Sequence, residues 1–212
     1  MLLLIDLDNT LVDRTAAFRR WATGWAPAHG GGPADVAWLI ATDNDGYEPR
    51  ERFARSIAAY FDLPDHRAVL AELREGMVKE LELDPRVGLA LAEAVAAGWS
   101  PVVVTNGTVR QQESKLRHTG LDRLVAGWVI SEGAGVRKPD ARMYELAAAE
   151  VGLPLRGWMI GDHAEHDVGG AVAVGLDTVW LPRGRSWPGG LPYRPTRTAD
   201  DCAAAITSVV QA

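Results

Sequence analysis

The chain has little of several features that define whole classes of protein. Its 212 residues include one cysteine, Cys202, so no internal disulfide can form, which favours a reducing compartment. No stretch approaches the roughly 18 consecutive apolar residues that a membrane span needs. Residues 1–5 are apolar but too few for the apolar region of a signal peptide. We therefore predict a cytoplasmic protein that does not bind membranes.

Basic residues are also in the minority. Lys and Arg number 22 against 28 Asp and Glu, a formal net charge of −6. A protein that binds a phosphate backbone needs clustered Lys and Arg, so we expect no nucleic acid partner. Hydrophobic residues make up 47% of the chain, which is enough to bury a globular core. Whether the protein is a monomer or a homodimer stays open.

Short apolar segments alternate with helical patterns along most of the chain. The apolar segments lie at residues 2–5, 101–104, 127–130, 158–160 and 178–181. The helical patterns lie at residues 86–97, 108–118, 140–150 and 167–174, and a Pro- and Gly-rich loop at 182–195 precedes a last helix at 199–210. This alternation predicts an α/β fold with a Rossmann-like parallel sheet and right-handed crossovers.

Residues 15–84 break the alternation with four candidate helices and no convincing strand. The helices lie at residues 16–28, 34–41, 50–61 and 65–81, with turn signals between them. We predict two domains: an α/β core of residues 1–14 and 85–212, and an inserted helical domain of residues 15–84. Acidic residues outnumber basic ones in the insert, so it offers no basic face to nucleic acid.

Chemically active side chains follow the predicted strands. In chain order they are Asp6, Asp8, Thr105, Asn106, Gly107, Lys138, Asp162 and Asp167. In open α/β sheets ligands bind beyond the carboxyl ends of the strands, so we expect these residues to converge at one edge. Asp6 and Asp8 point the same way in an extended chain, and with Asp162 they form the oxygen-rich site that Mg²⁺ prefers.

Two of the predicted helix starts favour anion binding. Gly107 permits a tight turn before a helix that begins at about Thr108, and the free backbone N–H groups there would bind an anion. Pro139 suits the first turn of the next helix, which places Lys138 at its N-terminus. A lysine there adds positive charge for a phosphate. Carboxylates, Mg²⁺, a lysine and a helix N-terminus are what phosphoryl transfer requires.

The arrangement resembles the haloacid dehalogenase-like (HAD) hydrolase superfamily. The matching segments are Asp6-Leu7-Asp8-Asn9-Thr10-Leu11, Thr105-Asn106-Gly107, Lys138-Pro139-Asp140 and Gly161-Asp162 with Asp167. Their order and spacing match all four motifs of the superfamily. The helical insert looks like the small helical cap that follows the first motif in that superfamily and closes over the substrate.

The resemblance implies a chemical role for each matched residue. Asp6 would be the nucleophile that forms an aspartyl-phosphate, and Asp8 would be the general acid and base. Thr105 would bind the transferring phosphoryl group together with the backbone N–H of Asn106. Lys138 would hold both Asp6 and the phosphate.

The resemblance also implies a bound Mg²⁺. Its ligands would be Asp6, Asp162 and the backbone carbonyl of Asp8, with Asp167 supporting them, although Asp167 could instead cap a helix. Four ionised carboxylates carry more charge than Mg²⁺ and Lys138 together neutralise. We therefore expect one carboxyl, that of Asp8, to be protonated when a substrate phosphate binds.

The implied activity is Mg²⁺-dependent hydrolysis of a small-molecule phosphate monoester. A phosphomutase would use the same two aspartates, and a non-catalytic binding or regulatory module is the alternative from a different class. The dehalogenases of the superfamily lack the second aspartate, so Asp8 argues against that activity. Which phosphate ester is the substrate cannot be read from the sequence.

Several residues are weaker candidates for substrate recognition. Trp21 and Trp25 share a helix face, where they either pack a core or form an aromatic wall. Arg14, His163 and Arg183 could contact an acidic substrate or simply be solvated, and the same holds for the three arginines that follow: Arg185, Arg194 and Arg197.

Overall fold

The computed structural model describes residues 1–211 and divides them into two compact units. The first unit joins Met1–Val12 to the chain from Leu83 onward, and the second is Asp13–Glu82. In chain order, the α-helices of the described residues are α1 (Arg14–Ala28), α2 (Pro33–Asp43), α3 (Arg50–Tyr60), α4 (His66–Lys79), α5 (Pro85–Ala96), α6 (Val109–Thr119), α7 (Ser131–Ala134), α8 (Ala141–Glu150), α9 (Gly170–Ala173) and α10 (Cys202–Val210).

The first unit is built on a six-stranded parallel sheet. The strands are β1 (Leu2–Ile5), β2 (Ser100–Thr105), β3 (Gly127–Ile130), β4 (Gly157–Gly161), β5 (Asp177–Trp180) and β6 (Arg197–Thr198). Their spatial order is β3-β2-β1-β4-β5-β6, and every neighbouring pair is parallel. The predicted α/β fold with a Rossmann-like parallel sheet is confirmed.

The first strand lies at the middle of the sheet. Leu2 is in register with Ser100 on one side and with Gly157 on the other. All four residues of β1 are buried, as expected for a strand with neighbours on both edges and helices on both faces. The carboxyl ends of β1, β2 and β4 therefore lie side by side, and the residues that follow them meet at that edge.

Side-chain caps set the starts of the helices around the sheet. Asp84, Thr108, Asp140 and Asp201 each accept a hydrogen bond from a backbone N–H in the first turn of α5, α6, α8 and α10. Because Asp140 is the cap of α8, Pro139 lies outside the helix. The predicted place of Pro139 in its first turn was wrong.

Two predicted helices differ in the structure. The pattern at residues 167–174 is a short π-helix, Ala164–Gly169, followed by the short helix α9, because the His163 side chain caps this segment from further upstream. The last helix begins at Cys202 and not at 199. Residues 197–198 form the short strand β6 instead, since Ala199 N–H donates to Trp180 O and draws this segment onto β5.

The second unit consists of helices α1 to α4 around an aromatic core. Trp21 and Trp25 stack at 5.3 Å between ring centroids, and both are at least 93% buried. Phe18 and Phe53 pack in the same core, together with aliphatic residues such as Leu39 and Ile57. The structure therefore supports packing for these tryptophans, and contact of Trp21 with substrate stays a prediction. Within residues 1–211, no helix combines the length and the apolar character that crossing a bilayer requires.

Arg14 is also part of the interior of this unit. Its two terminal nitrogens bond the two carboxylate oxygens of Asp43, and Arg50 Nη1 lies 2.7 Å from Asp43 Oδ1. Arg14 and Asp43 are both buried. This cluster ties the start of α1 to the end of α2 and the start of α3. These contacts give Arg14 a structural role, and its contact with an acidic substrate stays a prediction.

Removing the acidic partner of this cluster should destabilise the protein in a pH-dependent way. Burial alone would raise the pKa of Asp43, but Arg14 and Arg50 outweigh it and hold the pKa below its usual 3.8. The stability from Asp43 is therefore complete above that value and is lost as the pH falls through the lower folded pKa. Asp43→Asn should cost about 3 kcal/mol in urea unfolding at pH 7 and less at pH 3.

The matched control is Asp62→Asn, which replaces an exposed carboxylate of the same unit. It should leave the free energy of unfolding nearly unchanged at both pH values. A loss for Asp43→Asn that is the same at pH 7 and pH 3 would show that the carboxylate charge is not what holds the cluster together.

Candidate active site

Asp6 is held at the end of β1 by a buried lysine. The backbone N–H of Asp6 donates to Ile160 O at 2.9 Å, which continues the pairing of β1 with β4. Lys138 Nζ lies 2.6 Å from Asp6 Oδ1 and 2.7 Å from Asp167 Oδ1. Burial opposes the charge on this lysine, but the carboxylates of Asp167 and Asp6 outweigh it and raise the pKa of Lys138 above its usual value.

Three buried carboxylates lie close together at this edge. Oxygens of Asp6, Asp162 and Asp167 all fall within 4.8 Å of one another. Burial, assisted by the charges of its acidic neighbours, raises the pKa of Asp6, while Lys138 opposes the shift. Burial and the Asp167 charge raise the pKa of Asp162 to about 6. Crowded hard oxygens with raised pKa values fit a divalent cation such as Mg²⁺, which would relieve their repulsion.

Asp167 holds its neighbours through both oxygens. Its Oδ1 accepts from Lys138 Nζ, and its Oδ2 accepts from His163 N–H at 2.9 Å. A Cβ at Gly161 would lie 2.3 Å from Asp167, so only glycine lets this carboxylate approach the end of β4. The helix-cap alternative for Asp167 was wrong, because the side chain of His163 caps this turn.

His163 has a structural role in the same turn. Its Nδ1 accepts from the backbone N–H groups of Glu165 and His166, and its ring stacks on His166 at 3.9 Å between centroids. These contacts set the start of the short π-helix that carries Asp167. Contact of His163 with substrate stays a prediction.

The segment after β2 is tied to the loop that carries Lys138. The Asn106 side chain accepts from Lys138 N–H at 2.9 Å and donates to Lys138 O at 3.2 Å. The N–H of Gly107 donates to Ser131 Oγ, and that of Val109 donates to Glu132. The predicted anion site at this helix start therefore has fewer free N–H groups than expected, since these two are already hydrogen-bonded.

Asp8 is held by side chains of α6. Lys115 Nζ lies 2.7 Å from Asp8 Oδ1 and 2.6 Å from Oδ2. Gln112 Nε2 donates to Asp8 Oδ2 at 3.0 Å and to Thr105 Oγ1 at 2.7 Å. The predicted general acid and the predicted phosphoryl-binding hydroxyl are thus joined through one amide.

Neither Lys115 nor Gln112 was identified from the sequence. The sequence feature that could have indicated them is their three-residue spacing, which puts both on one face of α6. The sequence around them does not show that this face contacts Asp8. The charge count that favoured a protonated Asp8 was incomplete. It omitted Lys115, and it omitted Arg185, whose Nη2 lies 2.8 Å from Asp162 Oδ2.

The arginines after β5 divide into two groups. Arg185 contacts both the carboxylate and the backbone carbonyl of Asp162, and Arg183 Nη1 donates to Asn9 O at 3.3 Å. Arg194 lies over Trp187, and Arg197 lies over Trp158. Arg183 and Arg185 therefore border the carboxylate cluster. Contact of Arg183 with substrate stays a prediction.

A model of one protein family matches most of the chain. It is described as haloacid dehalogenase-like hydrolase, and it covers residues 1–175. The chain belongs to the haloacid dehalogenase-like hydrolase family. The resemblance drawn from the four motifs is confirmed, and with it the assignment of the chain as an enzyme.

The HAD-like chain is also similar to individual proteins. It is 31% identical over 170 residues to a phosphoserine phosphatase from Thermus thermophilus, covering 76% of this chain and 68% of that protein. It is 36% identical over 95 residues to a pyrimidine 5'-nucleotidase from Escherichia coli, covering 44% of this chain. The chain spans less than half the length of this second relative, 42%.

Solved structures show the same fold at lower identity. A HAD-hydrolase from Bacillus subtilis bound to magnesium superposes with a TM-score of 0.74 at 19% identity, over 98% of this chain and 97% of that one. A protein described as a β-phosphoglucomutase from Thermotoga maritima gives a TM-score of 0.74 at 17% identity, over 99% of this chain and 98% of that one. At these identities the similarity shows the fold alone.

Proposed function

We propose that this HAD-like enzyme hydrolyses a small-molecule phosphate monoester in a Mg²⁺-dependent reaction. The observation that carries the proposal is the placement of a lysine-held carboxylate, Asp6, in one site with a second carboxylate, Asp8, that is joined to Thr105. A nucleophile and a separate acid–base group are what a two-step phosphoryl transfer needs.

In the first step a carboxylate oxygen of Asp6 attacks phosphorus. The bond from phosphorus to the ester oxygen breaks, and the proton of the Asp8 carboxyl passes to that oxygen. The aspartyl-phosphate and a free alcohol result. Lys138, 2.6 Å from Asp6 Oδ1, orients the nucleophile, and Thr105 Oγ1 binds a phosphoryl oxygen.

In the second step water attacks phosphorus of the aspartyl-phosphate. The ionised Asp8 takes a proton from that water, the bond from phosphorus to Asp6 breaks, and inorganic phosphate is released. Asp6 is thereby restored as a carboxylate. Mg²⁺, held by Asp6, Asp162 and the carbonyl of Asp8, would neutralise phosphoryl charge in both steps. Asp167 supports this set by holding Lys138.

The second unit, the cellular compartment and the class of substrate can also be assigned. We assign the second unit, residues 13–82, the role of a cap domain that determines which substrate is accepted. The single buried Cys202 fits the reducing conditions of the cytoplasm. The substrate is a free small molecule, since the chain carries too little positive charge to favour nucleic acid.

Phosphate release from a panel of substrates tests the proposal directly. The panel includes phosphoserine and pyrimidine 5'-monophosphates, on which the two relatives named above act, together with sugar phosphates. Release that requires Mg²⁺ would support a phosphatase. Isomerisation of a sugar phosphate without net phosphate release would indicate a mutase, and halide release from a 2-haloacid would indicate a dehalogenase.

Metal binding can be measured without any substrate. Mg²⁺ at about 100 times its Kd should stabilise the protein by about 2.7 kcal/mol, seen as a rise in Tm. Asp162→Asn should abolish the rise, because it removes one of the three clustered carboxylates. Asp200→Asn, at an exposed aspartate outside the cluster, should keep it in full. An equal rise in both variants would place the metal elsewhere.

A further inference from the structure

A polar pair on the inner face of α6 contacts the predicted acid–base residue. Gln112 and Lys115 lie one turn apart, and their exposures are only 2% and 4%. Lys115 donates to both carboxylate oxygens of Asp8, and Gln112 donates to one of them. The three contacts fix both the position and the plane of the carboxylate.

This pair is poorly explained by stability alone. The inner face of a helix is normally apolar, and Leu116 on α6 is fully buried in that way. Taking an ammonium group out of water costs several kcal/mol, and a buried ion pair often stabilises no better than an apolar pair of the same size. A buried lysine next to the acid–base group therefore points to a role in the reaction.

We propose that Lys115 and Gln112 are positioning residues that aim the Asp8 carboxyl at the reacting oxygen in both steps. The inference rests on the proposed phosphatase activity. Gln112 sets the distance between Asp8 and Thr105, because one amide nitrogen donates to both. Lys115 holds the plane of the carboxyl, since it bonds both oxygens and keeps one of them when the other carries the proton.

The glycine after β2 serves the same arrangement. Gly107 has a φ of 155°, and a Cβ there would lie 2.9 Å from the Gln112 side chain. A larger residue would therefore push the amide away from Asp8 and Thr105. This gives Gly107 a role as the close-packing partner of Gln112.

The test compares two substrates whose leaving groups differ in their need for a proton. p-Nitrophenyl phosphate has a good leaving group that departs without an acid, whereas an alkyl phosphate monoester needs protonation of its ester oxygen. With Mg²⁺ present, kcat/KM reports the step that forms the aspartyl-phosphate. A positioned general acid contributes about 10²- to 10⁴-fold, so its misplacement should affect the alkyl ester selectively.

Lys115→Met should lower kcat/KM for the alkyl ester by on the order of 10²-fold and for p-nitrophenyl phosphate by less than about 5-fold. Gln112→Ala should lower kcat/KM for both substrates but more for the alkyl ester, because it releases Thr105 as well as Asp8. Lys115→Arg should recover part of the loss, because it restores a cation at Asp8. Lys79→Met, at an exposed lysine on α4, should change neither substrate.

Equal losses for both substrates would overturn the proposal, since they indicate a purely structural lysine. If the wild-type enzyme hydrolysed neither substrate, the proposed function would fail instead. Crystal structures of the wild type and Lys115→Met then decide on the positioning itself. The Asp8 carboxylate should leave its place beside Gln112 and Thr105 in the variant, and an unmoved carboxylate would refute the inference.

Discussion

Replacing Asp6 with asparagine should lower kcat for phosphate release by on the order of 10⁴-fold or more. The amide cannot attack phosphorus, so no aspartyl-phosphate forms. The fold should tolerate the change, because the amide has the same size and Lys138 keeps its bond to Asp167. The measurement is steady-state phosphate release with the best substrate of the panel, beside trapping of labelled phosphoryl-enzyme.

The matched control is Asp200→Asn, which makes the same chemical change at an exposed position. It should retain wild-type turnover and phosphoryl labelling. If Asp6→Asn kept more than about a hundredth of the wild-type rate, or still became labelled, another residue would be the nucleophile. Circular dichroism and the Tm of both variants would show that neither is unfolded.

Lys138→Met should be the most destabilising single substitution in the site. It leaves Asp6 and Asp167 buried without the ammonium that lies within 2.7 Å of both. Removing one partner of a buried ion pair costs about 3–5 kcal/mol, because the remaining charge is neither solvated nor paired. Urea unfolding at pH 7 without Mg²⁺ measures the loss, and Lys79→Met at an exposed lysine should show none.

A double-mutant cycle separates the lost pairing from the lost packing. Asp167→Asn removes one of the two carboxylates that surround Lys138, so Lys138→Met should cost less in that background than in the wild type. Full additivity would mean that the lysine does not interact with Asp167 energetically. It would contradict the interpretation that Asp167 stabilises the site through Lys138.

The strands and the residues at their ends could be predicted from the sequence because these features are local. An apolar run such as residues 2–5 indicates a buried strand without knowledge of its neighbours. Parallel topology then brings the residues after β1, β2 and β4 to one edge. Short elements were missed for the opposite reason: the two-residue strand β6 has no periodic pattern and exists only through its pairing with β5.

Contacts between residues that are far apart in the sequence could not be predicted from local sequence patterns. Lys115 and Asp8 are 107 positions apart, and the sequence shows which residues share a face of α6 but not what that face meets. Likewise, the sequence does not show that Arg14, a weak candidate for substrate contact, binds Asp43, 29 positions on. Charged side chains are flexible and find partners only after packing. The motifs and their spacing therefore determined the family and the candidate reactive residues, while tertiary structure alone decided how those residues are held.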